Sequence, residues 1–141
     1  MNSIQNEVIA LDTNEFIFAL RQEPTHSACE ILLFDKLPKL QVYVPLQVLV
    51  ELQRNLNSEE MRGVCMALSH AKSLQWDYTP APLPLIAKWQ SQGAKKGDAV
   101  IAAHLESAKI SYLVSENRDF LVELPNLPFK VLTALEVVSR L

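Results

Sequence analysis

Four acidic residues stand beside short apolar segments of the sequence. They are Asp12, Glu51, Asp98 and Asp119. Carboxylates that lie close together repel one another and raise one another's pKa unless a cation compensates them. Mg²⁺ and Mn²⁺ prefer oxygen ligands and keep several coordinated waters. If the fold brings the four acids together, we therefore expect a site for a hard divalent cation.

Such a site would suit the hydrolysis of phosphate esters. A divalent ion lowers the pKa of a bound water, orients it and neutralises charge on the phosphate, and a second ion would hold the leaving oxygen. The formal net charge of −3 and the pI near 5.6 exclude the overall basic surface that marks many nucleic-acid-binding proteins. A bound cation would supply the local positive charge that a polyanionic substrate needs.

Each acid also has a simpler explanation when it is taken alone. Asp12 and Asp98 can cap helices or complement a helix dipole in the first turn. Glu51 can be a solvated charge at a helix edge, and Asp119 can cap a turn. Asp98, however, precedes Ile101 at helical spacing, which places its carboxylate on the face of the core side chains. The joint placement of the four acids favours a site.

Apolar runs typical of strands alternate with helical patterns along the chain. Strands are predicted at residues 7–11, 42–44, 75–78, 111–114 and 130–132. This alternation predicts an α/β fold in which helices cover both faces of a parallel sheet. Ligands of open parallel sheets bind beyond the carboxyl ends of the strands. Asp12, Asn117 and Asp119 follow predicted strands and share that edge, while Glu51 and Asp98 would lie on helices packed over it.

Size and composition predict one hydrophobic core, and hence a single domain over residues 1–141. Hydrophobic residues make up 49% of the 141 residues and charged residues 21%, with only three glycines. The amino terminus has no basic segment of the kind that begins a signal peptide. The most apolar later run, residues 42–50, contains Pro45 and Gln47 and is shorter than the roughly 20 residues that a membrane span needs. We expect a soluble, cytoplasmic protein that does not bind membranes.

Two local patterns give further predictions. Cys29 and Cys65 form no CxxC motif, and although His26 precedes Cys29 by three residues, nothing else in the sequence supports a zinc site. We expect two buried, reduced thiols. Thr25 is predicted to cap the second helix.

Four segments together resemble the PIN-domain nucleases. They are LDTN at 11–14, VELQRN at 50–55, GDAVIAA at 97–103 and SENRDF at 115–120. In length and layout the chain is similar to the VapC-type toxins of bacterial toxin–antitoxin pairs, from residue 7 to about residue 135. The resemblance implies a three-layer α/β/α sandwich with a central, mostly parallel sheet. It also implies a homodimer, a cognate antitoxin, and a Mg²⁺- or Mn²⁺-dependent endoribonuclease that leaves a 5′-phosphate and a 3′-hydroxyl.

The resemblance also assigns roles to individual residues. Asp12, Glu51 and Asp98 match the three main metal-binding acids of the family. Asn117 matches a fourth position that is commonly Asp, and Asp119 matches the acid just after it. We expect Asp12, Glu51, Asp98 and Asp119 to be catalytic, with one firmly held ion and a second that arrives mainly with substrate. A neutral amide at 117 binds a cation less strongly than a carboxylate would.

Further residues would orient the site or contact RNA. Thr13 and Ser115 match hydroxyl positions that orient the site in the family. The predicted RNA-binding residues lie beside the acidic segments, where their charges could engage phosphates. They are Arg54, Lys95, Lys96 and Arg118.

Other functions stay open at this point. A PIN fold can bind RNA or a protein without cleaving, although loss of an acid usually accompanies that state and all three main acids are present. A nuclease without an antitoxin is a second alternative. A phosphatase of the haloacid-dehalogenase type would carry DxDxT after the first strand, whereas residues 12–16 read DTNEF and lack the second acid.

Overall fold

The computed structural model of the protein describes residues 4–141, in which short strands alternate with helices. The strands are β1 (Val8–Leu11), β2 (Gln41–Pro45), β3 (Ser73–Asp77), β4 (Tyr112–Val114) and β5 (Lys130–Leu132). The α-helices are α1 (Thr13–Leu20), α2 (Ser27–Ile31), α3 (Leu46–Asn55), α4 (Ser58–Ser69), α5 (Leu83–Ser91), α6 (Lys96–Ala108) and α7 (Ala134–Ser139). Shorter helical turns span Ile4–Asn6, Pro24–His26, Leu32–Lys36, Leu37–Lys39 and Asp119–Glu123. The five predicted strands are confirmed, and no helix within residues 4–141 is long and apolar enough to cross a membrane.

The strands form one parallel sheet in the order β3-β2-β1-β4-β5. The chain first moves outward from β1 to β3 and then crosses back to β4 on the other side of β1. Because crossovers between parallel strands are right-handed, the two directions place their helices on opposite faces of the sheet. The result is the predicted α/β/α sandwich. The strand order changes direction between β1 and β4, which is where sheets of this kind bind ligands.

The core covers both faces of the central strands. In β1, residues 9–11 are each at most 1% exposed. Consecutive buried residues in a strand require cover on both faces, which explains the unbroken apolar run of this segment. Leu52 of α3 and Ile101 of α6 are also fully buried. These two anchors fix the helices that carry Glu51 and Asp98.

Two local predictions from the sequence are wrong. Thr25 does not cap α2, because the chain is already helical at Pro24 and the Thr25 hydroxyl donates to Glu23 instead. Proline fits the first position of a helical turn, so it begins the turn earlier than the Thr signal suggests. Cys29 is buried as predicted, but Cys65 is exposed. Residue 65 lies on the outer side of α4, so its chemical type does not decide its burial.

Candidate metal centre

Asp12 and Ser115 meet where β1 and β4 end side by side. Leu11 pairs with Val114 across the two strands, so the residues that follow them are neighbours. The Ser115 hydroxyl donates to Oδ2 of Asp12 at 2.7 Å, and the backbone N–H of Thr13 donates to Oδ1 at 2.8 Å. Asp12 thus caps α1 while both of its oxygens are held in place. The carboxylate is buried at the switch point of the sheet.

Glu51 reaches the same edge from α3. Its Oε1 accepts a short hydrogen bond from the Thr13 hydroxyl, and its Oε2 accepts one from the Gln47 side chain at 2.9 Å. Gly97 at the start of α6 lies against it, because a Cβ atom at this position would be only 2.6 Å from Oε2 of Glu51. The absence of a side chain at residue 97 therefore lets α6 approach Glu51. The sequence analysis missed the contributions of Gln47 and Gly97.

Asn117 joins the remaining acids. Its side-chain amide donates to Oδ1 of Asp98 at 3.1 Å, and its carbonyl oxygen accepts from the backbone N–H of Asp119 at 3.0 Å. Its own backbone N–H donates to the Ser115 hydroxyl at 2.9 Å. A continuous chain of hydrogen bonds therefore links Asp98 through Asn117 and Ser115 to Asp12. The side chain of Asn117 thus contacts both Asp98 and Asp119.

Burial and mutual repulsion disturb the ionisation of two of these acids. The pKa of Asp12 is raised from 3.8 to about 6, chiefly by burial, with smaller contributions from the charges of Glu51 and Glu116. The pKa of Asp98 is also raised from 3.8 to about 6. Burial is again the largest cause, and Asp12 and Asp119 add to it while the hydrogen bond from Asn117 opposes it. A bound cation would relieve the cost of both charges.

The donor set fits a hydrated divalent ion. All donors are oxygens, which suits Mg²⁺ and Mn²⁺. No three of the predicted acids have their ligand atoms within 4.8 Å of one another, and within residues 4–141 that degree of closeness occurs only for Glu15, Cys29 and Glu116. Mg²⁺ keeps several waters and usually takes only one or two carboxylates directly, so the spacing of the predicted acids is compatible with it.

Comparison with known families decides the classification. The profile of the PIN domain family matches residues 9–122, which include every predicted site residue. The chain belongs to the PIN domain family. PIN domains are generally nucleases that use divalent metal ions. The match covers the segment in which hydrogen bonds link the acids of this PIN domain.

Solved structures share the fold at low sequence identity. One is a chain of VapBC2 from Rickettsia felis bound to a DNA fragment from its promoter, with 20% identity and a TM-score of 0.63, covering 88% of this chain and 98% of that one. Another is a chain of FitAcB from Neisseria gonorrhoeae, with 15% identity and a TM-score of 0.58, covering 90% of this chain and 98% of that one. No curated protein sequence matches significantly.

The basic residues of this PIN domain lie at different distances from its acids. Arg54 and Lys96 line a cleft of about 330 Å³ together with Glu51. Lys95 lies 3.7 Å from a carboxylate oxygen of Asp119. These three cations thus border the acidic edge. Arg118 instead pairs with an acid outside the group, Glu123, through a side chain that is 78% exposed.

Proposed function

We propose that this PIN domain is a divalent-metal-dependent endoribonuclease that uses Mg²⁺ or Mn²⁺. The observation that carries the proposal is the hydrogen-bonded chain from Glu51 through Thr13 and Asp12, and from Asp12 through Ser115 and Asn117 to Asp98. This arrangement links the buried carboxylate of Asp12 to the half-buried carboxylates of Glu51 and Asp98 at the ligand-binding edge of the sheet. Burial raises the pKa of Asp12 and of Asp98 to about 6, and a bound cation would offset the cost of charging these two groups.

Different residues would bind the two ions of the site. Asp12, Glu51 and Asp98 would hold the first ion, in part through its coordinated waters, and Asn117 with Asp119 would face a second that arrives with RNA. When bound, a divalent ion lowers the pKa of a coordinated water and neutralises charge on the phosphate.

Two hydroxyl groups keep the acids in position. The Thr13 hydroxyl holds Oε1 of Glu51, and the Ser115 hydroxyl holds Oδ2 of Asp12. Each bond fixes the direction of one carboxylate, so the acids need little rearrangement when a cation and substrate bind.

RNA would approach over the basic border of the site. Arg54 and Lys96 line the cleft beside Glu51, and Lys95 stands beside Asp119. Cations that contact phosphates position a nucleic acid without reading its sequence. Arg118 lies further from the acids and would contact the part of the RNA that flanks the cleavage site. Because the net charge of the chain is −3, the attraction for RNA must come from this border and from bound metal.

We also propose that the protein is the toxin of a toxin–antitoxin pair, a homodimer and cytoplasmic, with residues 1–141 acting as one domain. The similarity to a chain of VapBC2 supports an antitoxin partner.

An exposed apolar surface supports a protein–protein interface, since Phe34 and Met66 are 53% and 61% exposed beside a cleft of about 490 Å³. Exposed apolar patches of this kind mark protein–protein contacts.

The test is cleavage of a labelled, structured RNA by the purified chain with Mn²⁺ or Mg²⁺. We expect products with 5′-phosphate ends, no products in EDTA, and a loss on the order of 10²-fold or more in Asp98→Asn, which keeps the shape but removes the charge. Asp35→Asn is the matched control, because its side chain is 70% exposed and forms an ion pair with the neighbouring Lys36, away from the acids of the site. Equal cleavage by wild type and Asp98→Asn would contradict the proposal. A folded wild type that binds RNA but cleaves none of several RNAs would instead favour a binding module.

A further inference from the structure

A second group of metal-ligating side chains lies on the other side of α1 from Glu51. One ligand atom from each of Glu15, Cys29 and Glu116 lies within 4.8 Å of the others. Glu15 comes from α1, Cys29 from α2 and Glu116 from the segment after β4. None of these three residues is among the site residues predicted from the sequence. The fold brings them together from three separate elements.

Glu15 presents an oxygen that nothing in the described chain satisfies. The residue is 2% exposed, and Oε1 lies 3.5 Å from the sulfur of Cys29. Oε2 is buried and has no hydrogen-bond partner among residues 4–141. A buried polar atom without a partner costs about 1–3 kcal/mol, and more if it is charged. Either a bound cation or a proton shared with Glu116 would compensate this oxygen.

The spacing of the ligand atoms suits a small tetrahedral ion. Bonds of about 2.0–2.3 Å from metal to ligand give ligand–ligand separations of about 3.6 Å in a tetrahedron. The distance of 3.5 Å from Cys29 Sγ to Glu15 Oε1 is close to that value. Nδ1 of His26 lies 3.8 Å from Oε1 of Glu116, outside the group of three whose ligand atoms are all within 4.8 Å of one another, so it would serve as a fourth donor only after a small shift. The His26 ring is stacked on Phe18 at 4.3 Å, which fixes its direction.

Solvent reaches this cluster through a cleft. The cleft has a volume of about 310 Å³, and its lining includes His26, Cys29 and Glu116. Glu15 is not part of this lining, so an ion would approach from the side of Cys29 and Glu116. The second oxygen of Glu116 accepts a hydrogen bond from the backbone N–H of Ala134 at 2.9 Å, which orients this carboxylate and ties the cluster to the start of α7.

We propose that Glu15, Cys29, Glu116 and His26 form a binding site for a thiophilic divalent ion such as Zn²⁺, distinct from the site at Asp12 and Asp98. A thiolate, two carboxylates and an imidazole are zinc ligands, whereas Mg²⁺ and Mn²⁺ prefer oxygen alone. The ion would connect α1, α2, the segment after β4 and the start of α7. The bound ion would stabilise the fold next to Asn117, in the segment that follows β4. This proposal does not depend on the proposed nuclease activity.

The competing arrangement has no metal. Burial, a hydrogen bond with Glu116 and the charge of Glu116 raise the pKa of Glu15 well above its usual range, so in this arrangement Glu15 stays protonated and shares its proton with Glu116. Burial likewise raises the pKa of the Cys29 thiol, so a metal must displace that proton to bind sulfur. Metal binding and proton sharing therefore exclude each other at this cluster and give opposite results in a metal titration.

The experiment is a titration of the EDTA-treated, full-length chain with Co²⁺, followed by near-ultraviolet absorption. Only a sulfur ligand produces a thiolate-to-cobalt charge-transfer band, so cobalt at the oxygen site near Asp98 does not contribute. We expect the band to saturate at one equivalent, to persist in Asp98→Asn, and to be abolished by added Zn²⁺. Cys29→Ser should abolish it, and Glu15→Gln should weaken binding at least 10-fold. Cys65→Ser is the matched control and should leave the band unchanged.

Thermal unfolding keeps the test independent of any one variant. Zn²⁺ should raise the Tm of wild type and of Asp98→Asn, because an ion that binds only the folded state stabilises it, and should raise the Tm of Glu15→Gln by less at the same concentration. A folded wild type that shows no sulfur band in excess Co²⁺ would overturn the proposal and leave the shared proton as the explanation. A band that is lost in Cys65→Ser but kept in Cys29→Ser would overturn it equally, as binding to an exposed thiol.

Discussion

The side-chain amide of Asn117 donates a hydrogen bond to Oδ1 of Asp98 at 3.1 Å, so a neutral donor stands where a second carboxylate would repel it. The same side chain accepts from the backbone N–H of Asp119, which fixes its orientation. Asn117 therefore stabilises the metal-free site. A carboxylate in its place would hold a cation more tightly but would leave Asp98 without a donor.

Asn117→Asp should lower the stability of the metal-free protein and raise its affinity for metal. We expect Mn²⁺ to bind about 10-fold more tightly, because an anionic oxygen replaces a neutral one. In EDTA at pH 7.5 the free energy of unfolding should fall by about 1–2 kcal/mol, since the hydrogen bond to Asp98 becomes a repulsion. Calorimetric titration and denaturant unfolding measure the two effects. Gln75→Glu adds the same charge at an exposed residue of β3 and should change neither.

The raised pKa values predict how the stability of the metal-free protein depends on pH. Asp12 and Asp98 titrate near 6 when folded and near 3.8 when unfolded. The folded state therefore holds protons that the unfolded state has released, so this stabilisation is complete below about pH 4 and is lost as pH rises through 6. In EDTA the Tm should fall across this range, and saturating Mn²⁺ at pH 7.5 should restore it. Asp98→Asn should show a smaller fall, and a profile identical to wild type would contradict the assignment.

Gly97→Ala tests the close approach of α6 to Glu51. The added carbon would lie 2.6 Å from Oε2 of Glu51 and must displace that carboxylate. We expect cleavage to fall on the order of 10- to 100-fold, because a small misplacement of a catalytic group is costly. Fold stability should not fall in parallel, since Ala favours a helix over Gly by up to about 1 kcal/mol. Gly63→Ala on α4 adds the same methyl beside Leu20 and should keep full activity.

Removal of a basic side chain at the border of the site should weaken RNA binding without sequence preference. Lys96→Ala should lower affinity for every RNA tested and reduce the salt dependence of binding by roughly one charge. Lys130→Ala is the matched control, because Lys130 begins β5 at the opposite, amino end of the sheet. Binding should be measured with Asp98→Asn so that cleavage does not interfere. Equal losses in both variants would indicate general electrostatics and no defined RNA path.

The carboxylate of Asp77 connects β2, β3 and α6 through its contacts with two buried side chains. Asp77 accepts a short hydrogen bond from the buried Tyr43 hydroxyl and lies 3.1 Å from Nε2 of the buried His104. The hydrogen bond from Tyr43 is the main reason that the pKa of Asp77 is held below its usual range. Asp77→Ala should cost about 2–3 kcal/mol in denaturant unfolding, because it leaves the Tyr43 hydroxyl unpaired. Asp35→Ala removes an exposed carboxylate and should cost less than about 0.5 kcal/mol.

The sequence predicted the sheet because its physical signals are local. An apolar run such as residues 8–11 requires cover on both faces, and strand–helix alternation restricts the connections to parallel, right-handed ones. The location of Asp12 beside Ser115 follows from the same rule. Parallel neighbours end together, so residues that follow adjacent strands must be close.

Contacts across the fold were less accessible to prediction. The role of Gly97 depends on the distance between α3 and α6, which no local pattern encodes. The cluster of Glu15, Cys29 and Glu116 joins three separate elements. In the sequence it is indicated only by the presence of an acid, Glu15, within the apolar helix α1. Cys29 gave no zinc prediction, because apart from His26 nothing else in the sequence supported a zinc site.

The hydrogen bond between Ser115 and Asp12 spans 103 residues of the chain. Contacts between residues so far apart in sequence form late in folding, because a long loop must close first. During synthesis, Asp12 and Glu51 leave the ribosome well before Asp98, Ser115 and Asn117 do. We therefore expect the nascent chain to lack a complete set of carboxylates until most of it has been translated. For a protein that we propose cleaves RNA, this chain order would protect the message that encodes it while translation is still in progress.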